Sequence, residues 1–261
     1  MDLGLDGRRA LVLAATRGLG RGIAEALSRE GAELAVVGRS GAAEAAEQIA
    51  GQGHAAAFGV DCDLHDRMAV DAMLDRVLDR FGGLDVLVLN GGGPPPGPAL
   101  KVDAESWELW FHRMTATLIH VANRCVPGMV EQGWGRLLTV ASSAAVQPIE
   151  NMALSNSLRA SLLAWNKTLA AEVGRNGVTC NVILPGRIHT ERVDRLDAAK
   201  AERDGSDAAS VRAQSQANIP LGRYGQVEEF GNVAAFVCSA PASYLTGDLI
   251  RVDGGLIRSI S

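Results

Sequence analysis

Ala10-Leu11-Val12-Leu13-Ala14-Ala15-Thr16-Arg17-Gly18-Leu19-Gly20 is the stretch on which the fold turns. The apolar run Ala10–Ala15 has the length of a buried strand. A helical pattern follows at Gly18–Glu30, with Ile23, Ala24 and Leu27 on one face and Gly31 as its stop. Between strand and helix, Gly18 and Gly20 let the backbone turn tightly and approach a pyrophosphate, which would rest on the positive end of the helix. Such glycines also suit a plain turn. Their place between strand and helix is what favours a phosphate site, with Ala14, Thr16, Arg17, Gly18, Leu19 and Gly20 as its candidate residues.

Outward from this stretch the same alternation runs to the end of the chain. Leu34–Val37, Ala55–Val60, Val86–Leu89, Leu137–Val140, Val178–Leu184 and Leu249–Val252 read as strands. Ala42–Ala50, Arg67–Phe81, Ser106–Gln132 and Met152–Arg175 read as helices, the second with Val70, Met73, Leu74, Val77 and Leu78 inward. This order predicts an α/β fold, a doubly wound Rossmann-type domain. Its central parallel sheet has about seven strands, with helices on both faces. Residues 1–261 are expected to form one domain. The polar, Ala- and charge-rich segment 191–217 is expected to be a helical lid.

Composition narrows the function classes. Apolar residues make up 47% of the chain and aromatics only 4%, so the core is Ala, Val and Leu, as suits helices packed on a parallel sheet. A net charge of −5 without a Lys/Arg cluster argues against nucleic acid. No apolar run approaches the roughly 18 residues that cross a bilayer, and the N-terminus lacks the pattern of a signal peptide. The four cysteines, Cys62, Cys125, Cys180 and Cys238, have no ligand spacing and read as reduced thiols of a cytoplasmic protein. His54, His65, His112, His120 and His189 share no helix face, so no metal site is expected.

The second strand ends at Gly38-Arg39, where an acidic side chain would hold a ribose and favour NAD(H). Here Arg39 and Arg17 offer forked donors to a 2′-phosphate, so NADP(H) is expected over NAD(H). Solvated surface arginines are the plainer alternative. Asp63-Leu64 follows the third strand, either holding an adenine edge or, for Asp63, capping a helix. Asn90-Gly91-Gly92 follows the fourth strand and runs into Gly93-Pro94-Pro95-Pro96-Gly97, a flexible piece abutting a stiff one. That piece is expected to wall the nicotinamide side, or to be simply a rigid loop.

Together with Pro185-Gly186-Arg187-Ile188-His189-Thr190, Ile219–Gly225 and Tyr244–Gly255, these elements resemble the short-chain dehydrogenase/reductase family across essentially the whole chain, and in particular its β-ketoacyl-carrier-protein reductases. The resemblance implies that Pro185, Gly186, Ile188 and Thr190 contact the nicotinamide end of the cofactor. It also implies that Asp63 and Leu64 hold the adenine, and that Asn90, Gly91 and Gly92 line the cofactor. Ala14 stands where the family usually has its first glycine. Dimers or tetramers, built by pairing the long helices after the fourth and fifth strands, are a further implication.

The family's catalytic set is Asn, Ser, Tyr and Lys. Position by position, Ser142 matches Ser, while Met114 falls at Asn, Ser155 at Tyr and Arg159 at Lys. No shift of alignment restores the Tyr, because Tyr224 and Tyr244 are the only tyrosines. Lys167 lies eight residues beyond Arg159, about 12 Å along a helix. Ser155 and Arg159 are four apart and share a helix face. A Ser hydroxyl is a poor acid near neutral pH, and an arginine does not give up its proton. Arg159 retains the capacity to bind a ribose hydroxyl, a phosphate or a substrate carboxylate. Glu150, Asn151, Asn156, His112 and His189 are the other polar candidates, Glu150 being the best substitute acid if buried.

Two functions follow as expectations. One is an NADP(H)-dependent oxidoreductase that acts on a carbonyl or alcohol, such as a 3-oxoacyl-like substrate, with Ser142, Ser155 and Arg159 as its catalytic residues. The other is a catalytically silent NADP(H)-sensing or partner subunit. Beside these two stands a different chemistry, dehydration or isomerisation of an anion held by Arg159.

Overall fold

The computed structural model describes residues 1–52 and 55–260. The seven strands are β1 (Arg9–Val12), β2 (Glu33–Gly38), β3 (Ala57–Asp61), β4 (Val86–Leu89), β5 (Gly135–Val140), β6 (Val178–Pro185) and β7 (Leu249–Val252). They form one parallel sheet in the order β3-β2-β1-β4-β5-β6-β7. The order reverses between β1 and β4, which opens a crevice at their carboxyl ends, the place where open α/β sheets take ligands. His54 lies outside the described residues.

Helices α1 (Gly18–Arg29), α2 (Ala42–Gln52) and α3 (Arg67–Phe81) follow the first three strands. Then come α4 (Ala104–Phe111), α5 (Thr117–Glu131), α6 (Ala153–Val173), α7 (Glu191–Asp204), α8 (Ala208–Ala217) and α9 (Val227–Val237). Strand residues alternate between two cores. Ala10, Val12, Leu34, Val36, Val86 and Val88 face α1, α2 and α9, through Ile23, Leu27, Ile49 and Phe230. Leu11, Leu13, Ala35, Val37, Leu87 and Leu89 face α3, α5 and α6, through Val70, Leu74, Val121 and Leu162. Burial on both faces explains why the strands read as unbroken apolar runs.

Several boundaries differ from expectation. The first strand stops at Val12 rather than Ala15, because Ala14 adopts φ +48°, a turn conformation. The third strand begins at Ala57, not Ala55, and the second helix runs on through Gly51 to Gln52. The helix read as Met152–Arg175 is Ala153–Val173, with a tighter turn at Gly174–Asn176. The helix read as Ser106–Gln132 is one rod with a wide turn at His112–Ala116, where the Thr117 amide bonds back to His112 O. Helix α9 has no counterpart among the expected elements. It docks on α1 nearly backbone to backbone: a Cβ on Gly22 would lie 2.9 Å from Val227 O, and one on Gly231 would meet Gly22.

Candidate functional site at the carboxyl edge of the sheet

The crevice has a phosphate-ready end. Arg17 precedes α1 without a side-chain cap, and the first turn of α1 holds no acidic residue. The amides at residues 18–20 and the helix dipole are therefore left for an anion. Gly20 is held to glycine, because a Cβ there would collide with Ala14 O and lie 2.7 Å from Asn90 Nδ2. Asn90 Nδ2 itself donates to Ala14 O at 3.3 Å and ties the β4 loop to the β1 loop. Gly91 and Gly92 present bare backbone, with nothing within 4 Å of a built Cβ. Leu19 and Leu64 are half-buried along this edge.

At Gly38 a Cβ would lie 2.9 Å from Thr16 Oγ1, so Thr16 occupies the space an acidic side chain would need. Arg17 and Arg39 are exposed on either side. Arg17 pairs with Glu191 at 3.4 Å and Arg39 with Asp63 at 3.5 Å, both loose surface contacts of small worth. Asp63 does not cap α3. Asp66 does, accepting from Met68 N at 2.9 Å and Ala69 N at 3.2 Å, while Asp63 accepts from His65 N. The helix-cap alternative for Asp63 is thereby corrected: the cap must directly precede the first turn, and Asp66 holds that place.

The other end of the crevice lies beyond β5. Ser142 Oγ accepts from Ala144 N at 3.1 Å, which leaves its hydroxyl proton to be donated elsewhere. Ser155 is buried, and its hydroxyl bonds to no described residue. Arg159 is spent on the backbone: Nη1 donates to Val140 O at 3.2 Å and Ala141 O at 2.9 Å, and Nη2 to Gly92 O at 3.4 Å. Burial, and then the neighbouring Arg192, push its pKa down to about 10, so it stays a cation at neutral pH. Lys167 is engaged with Gly247 O at 2.8 Å, on the far side of β6.

Met114 is buried with Leu154 and Leu158, against Val102, Trp107 and Trp110. It sits inside the wide turn of the long helix, where one extra residue swings the side chains out of phase. The Gly93–Gly97 loop is pinned to the mouth of α6 by Gly97 N to Asn151 O (2.7 Å) and Ala153 N to Gly97 O (3.2 Å). Asn156 clamps the segment that leads into α6, donating to Ile149 O at 2.8 Å. Glu150 is exposed, so it lacks the burial a substitute acid would need. His112 is exposed, and His189 pairs with Asp194 at 3.5 Å.

Beyond β6, Thr190 caps α7 by accepting from Val193 N. Pro185 and Ile188 are buried, and a Cβ on Gly186 would press on Asp253 Cα at 2.6 Å. Buried Asp197 fixes the base of α7, accepting from Arg187 Nη1 (3.1 Å) and from the Tyr224 hydroxyl (2.8 Å). All four thiols are buried. Desolvation raises them, Cys62 to about 11 and the others to about 12, so none is a nucleophile. A hollow of about 500 Å³ lined by Asp2, Asp6, Arg8, Arg9 and Asp85 lies at the opposite, amino edge of the sheet. Among the described residues no helix is long and apolar enough to cross a membrane, and no cluster of metal ligands forms.

A family model described as enoyl-(acyl carrier protein) reductase matches residues 13–257. The chain belongs to the short-chain dehydrogenase/reductase family. It is 31% identical over 259 residues to the 3-oxoacyl-[acyl-carrier-protein] reductase of Aquifex aeolicus, covering 98% of this chain and all of that one. The structure of L-sorbose reductase from Gluconobacter frateurii, complexed with NADPH and L-sorbose, superposes with a TM-score of 0.94 at 30% identity, covering both chains completely. An NAD⁺-bound xylitol dehydrogenase superposes at 0.89 with 25% identity, over 96% of this chain and 99% of that one. This is a family of oxidoreductases that use a nicotinamide cofactor and act on small molecules.

Sequence reasoning missed one residue of this end. Arg192, in the first turn of α7, reaches back across the crevice to Gly93, so closely that a Cβ on Gly93 would overlap its guanidinium. A signal was available. A cation in the first turn of a helix opposes the dipole, and here it stands directly after the Thr190 cap.

Proposed function

We propose that the chain is an NADP(H)-dependent reductase of a small carbonyl compound that works without a Tyr–Lys pair. The observation that carries this reading is the adenosine end. An uncapped helix start is flanked by Arg17 and Arg39, and Thr16 fills the place of the NAD-selecting acid. Ala14, Thr16, Gly18, Leu19 and Gly20 hold the pyrophosphate, Arg17 and Arg39 the 2′-phosphate, and Asp63 and Leu64 the adenine. Asn90, Gly91, Gly92, Pro185, Gly186, Ile188 and Thr190 line the nicotinamide side. The bound cofactor supplies the hydride.

Ser142 gives its free hydroxyl proton to the substrate oxygen as a hydrogen bond, its acceptor side already taken by Ala144 N. Water delivers the proton that a phenol would have supplied. Ser155 leaves room for that water, and Arg159 holds the carbonyl ends of the strands. Losing the general acid costs about 10²–10⁴ in rate relative to a member that has it. The α7–α8 pair acts as a lid on the substrate.

A silent NADP(H)-binding subunit is the second reading, favoured by the apolar cluster around Met114 and by Arg159's commitment to three carbonyls. Titration with NADPH and NADH, then a carbonyl turnover screen on the same sample, separates the two. The first reading expects tighter NADPH than NADH and slow turnover that Ser142→Ala abolishes. NADPH binding with no turnover on any carbonyl leaves only the second.

A further inference from the structure

Arg192 joins the start of α7 to the loop after β4. Its helix begins after β6, and its guanidinium rests on Gly93, in the loop after β4. A Cβ on Gly18 would lie 3.8 Å from Thr190 Cγ2 and Glu191 pairs with Arg17, so the start of α7 folds back over the sheet. From there Arg192 reaches Gly93 within electrostatic range of Arg159. Arg159 reaches the same place, at Val140 O, Ala141 O and Gly92 O. Two guanidiniums converge on consecutive residues, Gly92 and Gly93, with Ser142 at the same strand end.

Among the described residues none neutralises Arg192. Glu191 turns away to Arg17, and Asp194 to Arg212 and His189. Among the described residues Arg192 has no hydrogen bond and no ion pair. Its position in the first turn of α7 adds the unfavourable end of the helix dipole, and the nearby Arg159 adds like charge. Desolvation, then Arg195, lower its pKa, and Arg192 in turn lowers that of Arg159. Arg192 is nonetheless exposed, so water solvates its guanidinium, and a fork that no side chain has claimed is open to an anion.

We propose that Arg192 is a specificity-determining residue that binds a carboxylate on the substrate, so that the chain reduces oxo acids in preference to neutral carbonyl compounds. This rests on the reductase reading above. A monoanion fits because, among the described residues, the Arg192 fork is wholly uncommitted, whereas Arg159 Nη1 and Nη2 already donate to three backbone carbonyls. The start of α7 borders the α1 loop through Thr190 and Glu191, but the Arg192 fork itself turns to Gly93, next to the Gly92 that Arg159 holds, so its anion is assigned to the substrate. A fall in NADPH affinity in Arg192→Gln would assign it to the cofactor instead and overturn the inference. A planar fork meeting a carboxylate also fixes orientation, holding the carbonyl of the same molecule towards Ser142.

The test uses 2-oxo and 3-oxo acids of four to ten carbons, each paired with its methyl ester, which removes the charge and little else. Binding to the NADPH-loaded protein is followed by quenching of NADPH fluorescence, and turnover by NADPH oxidation. The expected result is that at least one acid binds about tenfold to a hundredfold more tightly than its ester, the weight of a hydrogen bond to a charged group. Arg192→Gln should erase that difference while leaving the NADPH dissociation constant unchanged.

Gly93→Ala keeps the charge but displaces the fork, and should raise KM for the acid more than it lowers kcat. Arg203→Gln, exposed at the far end of α7, controls for the overall charge of the helix and should behave as wild type. Acids that bind in this charge-dependent way without being reduced would sink the reductase reading and keep the carboxylate site. Equal binding of acids and esters, no binding of either, or an acid preference untouched by Arg192→Gln overturns the inference.

Discussion

The two ends of the crevice are built on opposite principles. At the α1 end the chain withholds side chains: glycines, an uncapped helix start and bare backbone at Gly91 and Gly92 leave donors unspent. At the β5 end it fills the space from within, with Met114 packed on Leu158 and Arg159 tied to three carbonyls. The first end keeps the means to bind. The second is packed, and among its described residues the side chains of Ser142, Ser155 and Arg192 bond to no other side chain. The α1 end is thus constrained by its backbone, whereas the β5 end is constrained by its side chains.

The contrast is sharpest at Gly20. Gly20→Ala pushes a methyl into Ala14 O and Asn90, a backbone collision that costs about 1–3 kcal/mol. NADPH binding, measured by titration, should be lost, with a lower Tm. A variant that binds normally would show that the first end is less constrained than the second.

Next in size is the Arg17→Ala/Arg39→Ala double variant. NADPH affinity should fall about a hundredfold, since two charge-assisted contacts disappear, each worth about 1.5–3 kcal/mol before solvent screening. NADH affinity should not move. An equal loss for both cofactors would make these arginines general electrostatic attractors and remove the basis for NADP(H).

Arg159→Met asks whether the second end is packing or machinery. The apolar stem is kept and the bonds to Val140, Ala141 and Gly92 are lost, so stability should drop by about 1–2 kcal/mol in denaturant unfolding, with NADPH affinity changed less than threefold. The opposite pattern, intact stability with weakened NADPH, would return Arg159 to the role of a ribose ligand and blur the comparison.

The smallest effect concerns the support beneath the cradle. Glu229 accepts from Gln226 N at 2.7 Å and pairs with Arg223 at 2.6 Å, at the start of the helix that braces α1. Chiefly the Arg223 bond, then the Gln226 amide, hold its pKa down at about 2, against 4.5 when free. Because the folded value is the lower one, its stabilisation is present above about pH 4.5 and is lost as pH falls towards 2. Glu229→Gln should therefore match wild type at pH 2, and the gap between them should widen by pH 5 in acid unfolding. A pH-independent gap would deny the carboxylate any part.

Much of the fold was legible because each strand is buried on both faces and each glycine stop is local. The bounds read for Arg67–Phe81, Val86–Leu89 and Leu249–Val252 are those observed. Helix α9 was not legible, since its fit depends on Gly22 and Gly231 meeting across more than two hundred residues of chain. Nor was the wide turn, because a slipped hydrogen bond leaves no mark on residue type. At the site, the residue types at 142, 155 and 159 could be read off directly, but what Arg159 holds is a matter of where strand ends fall in space. Arg192 was hidden in a segment whose composition says only that it is polar.

The wide turn at His112–Ala116 has a mechanical meaning. One residue is about 100° of helical rotation, so the added residue clocks α4 against α5 like a keyed coupling between two shafts. The downstream shaft keeps Leu118, Val121 and Cys125 on the sheet, while the upstream shaft brings Trp107 and Trp110 over Leu158. Shortening the coupling by one residue would swing those indole rings into solvent and leave the sheet side seated, so the geometry above the crevice can be retuned without touching the scaffold below.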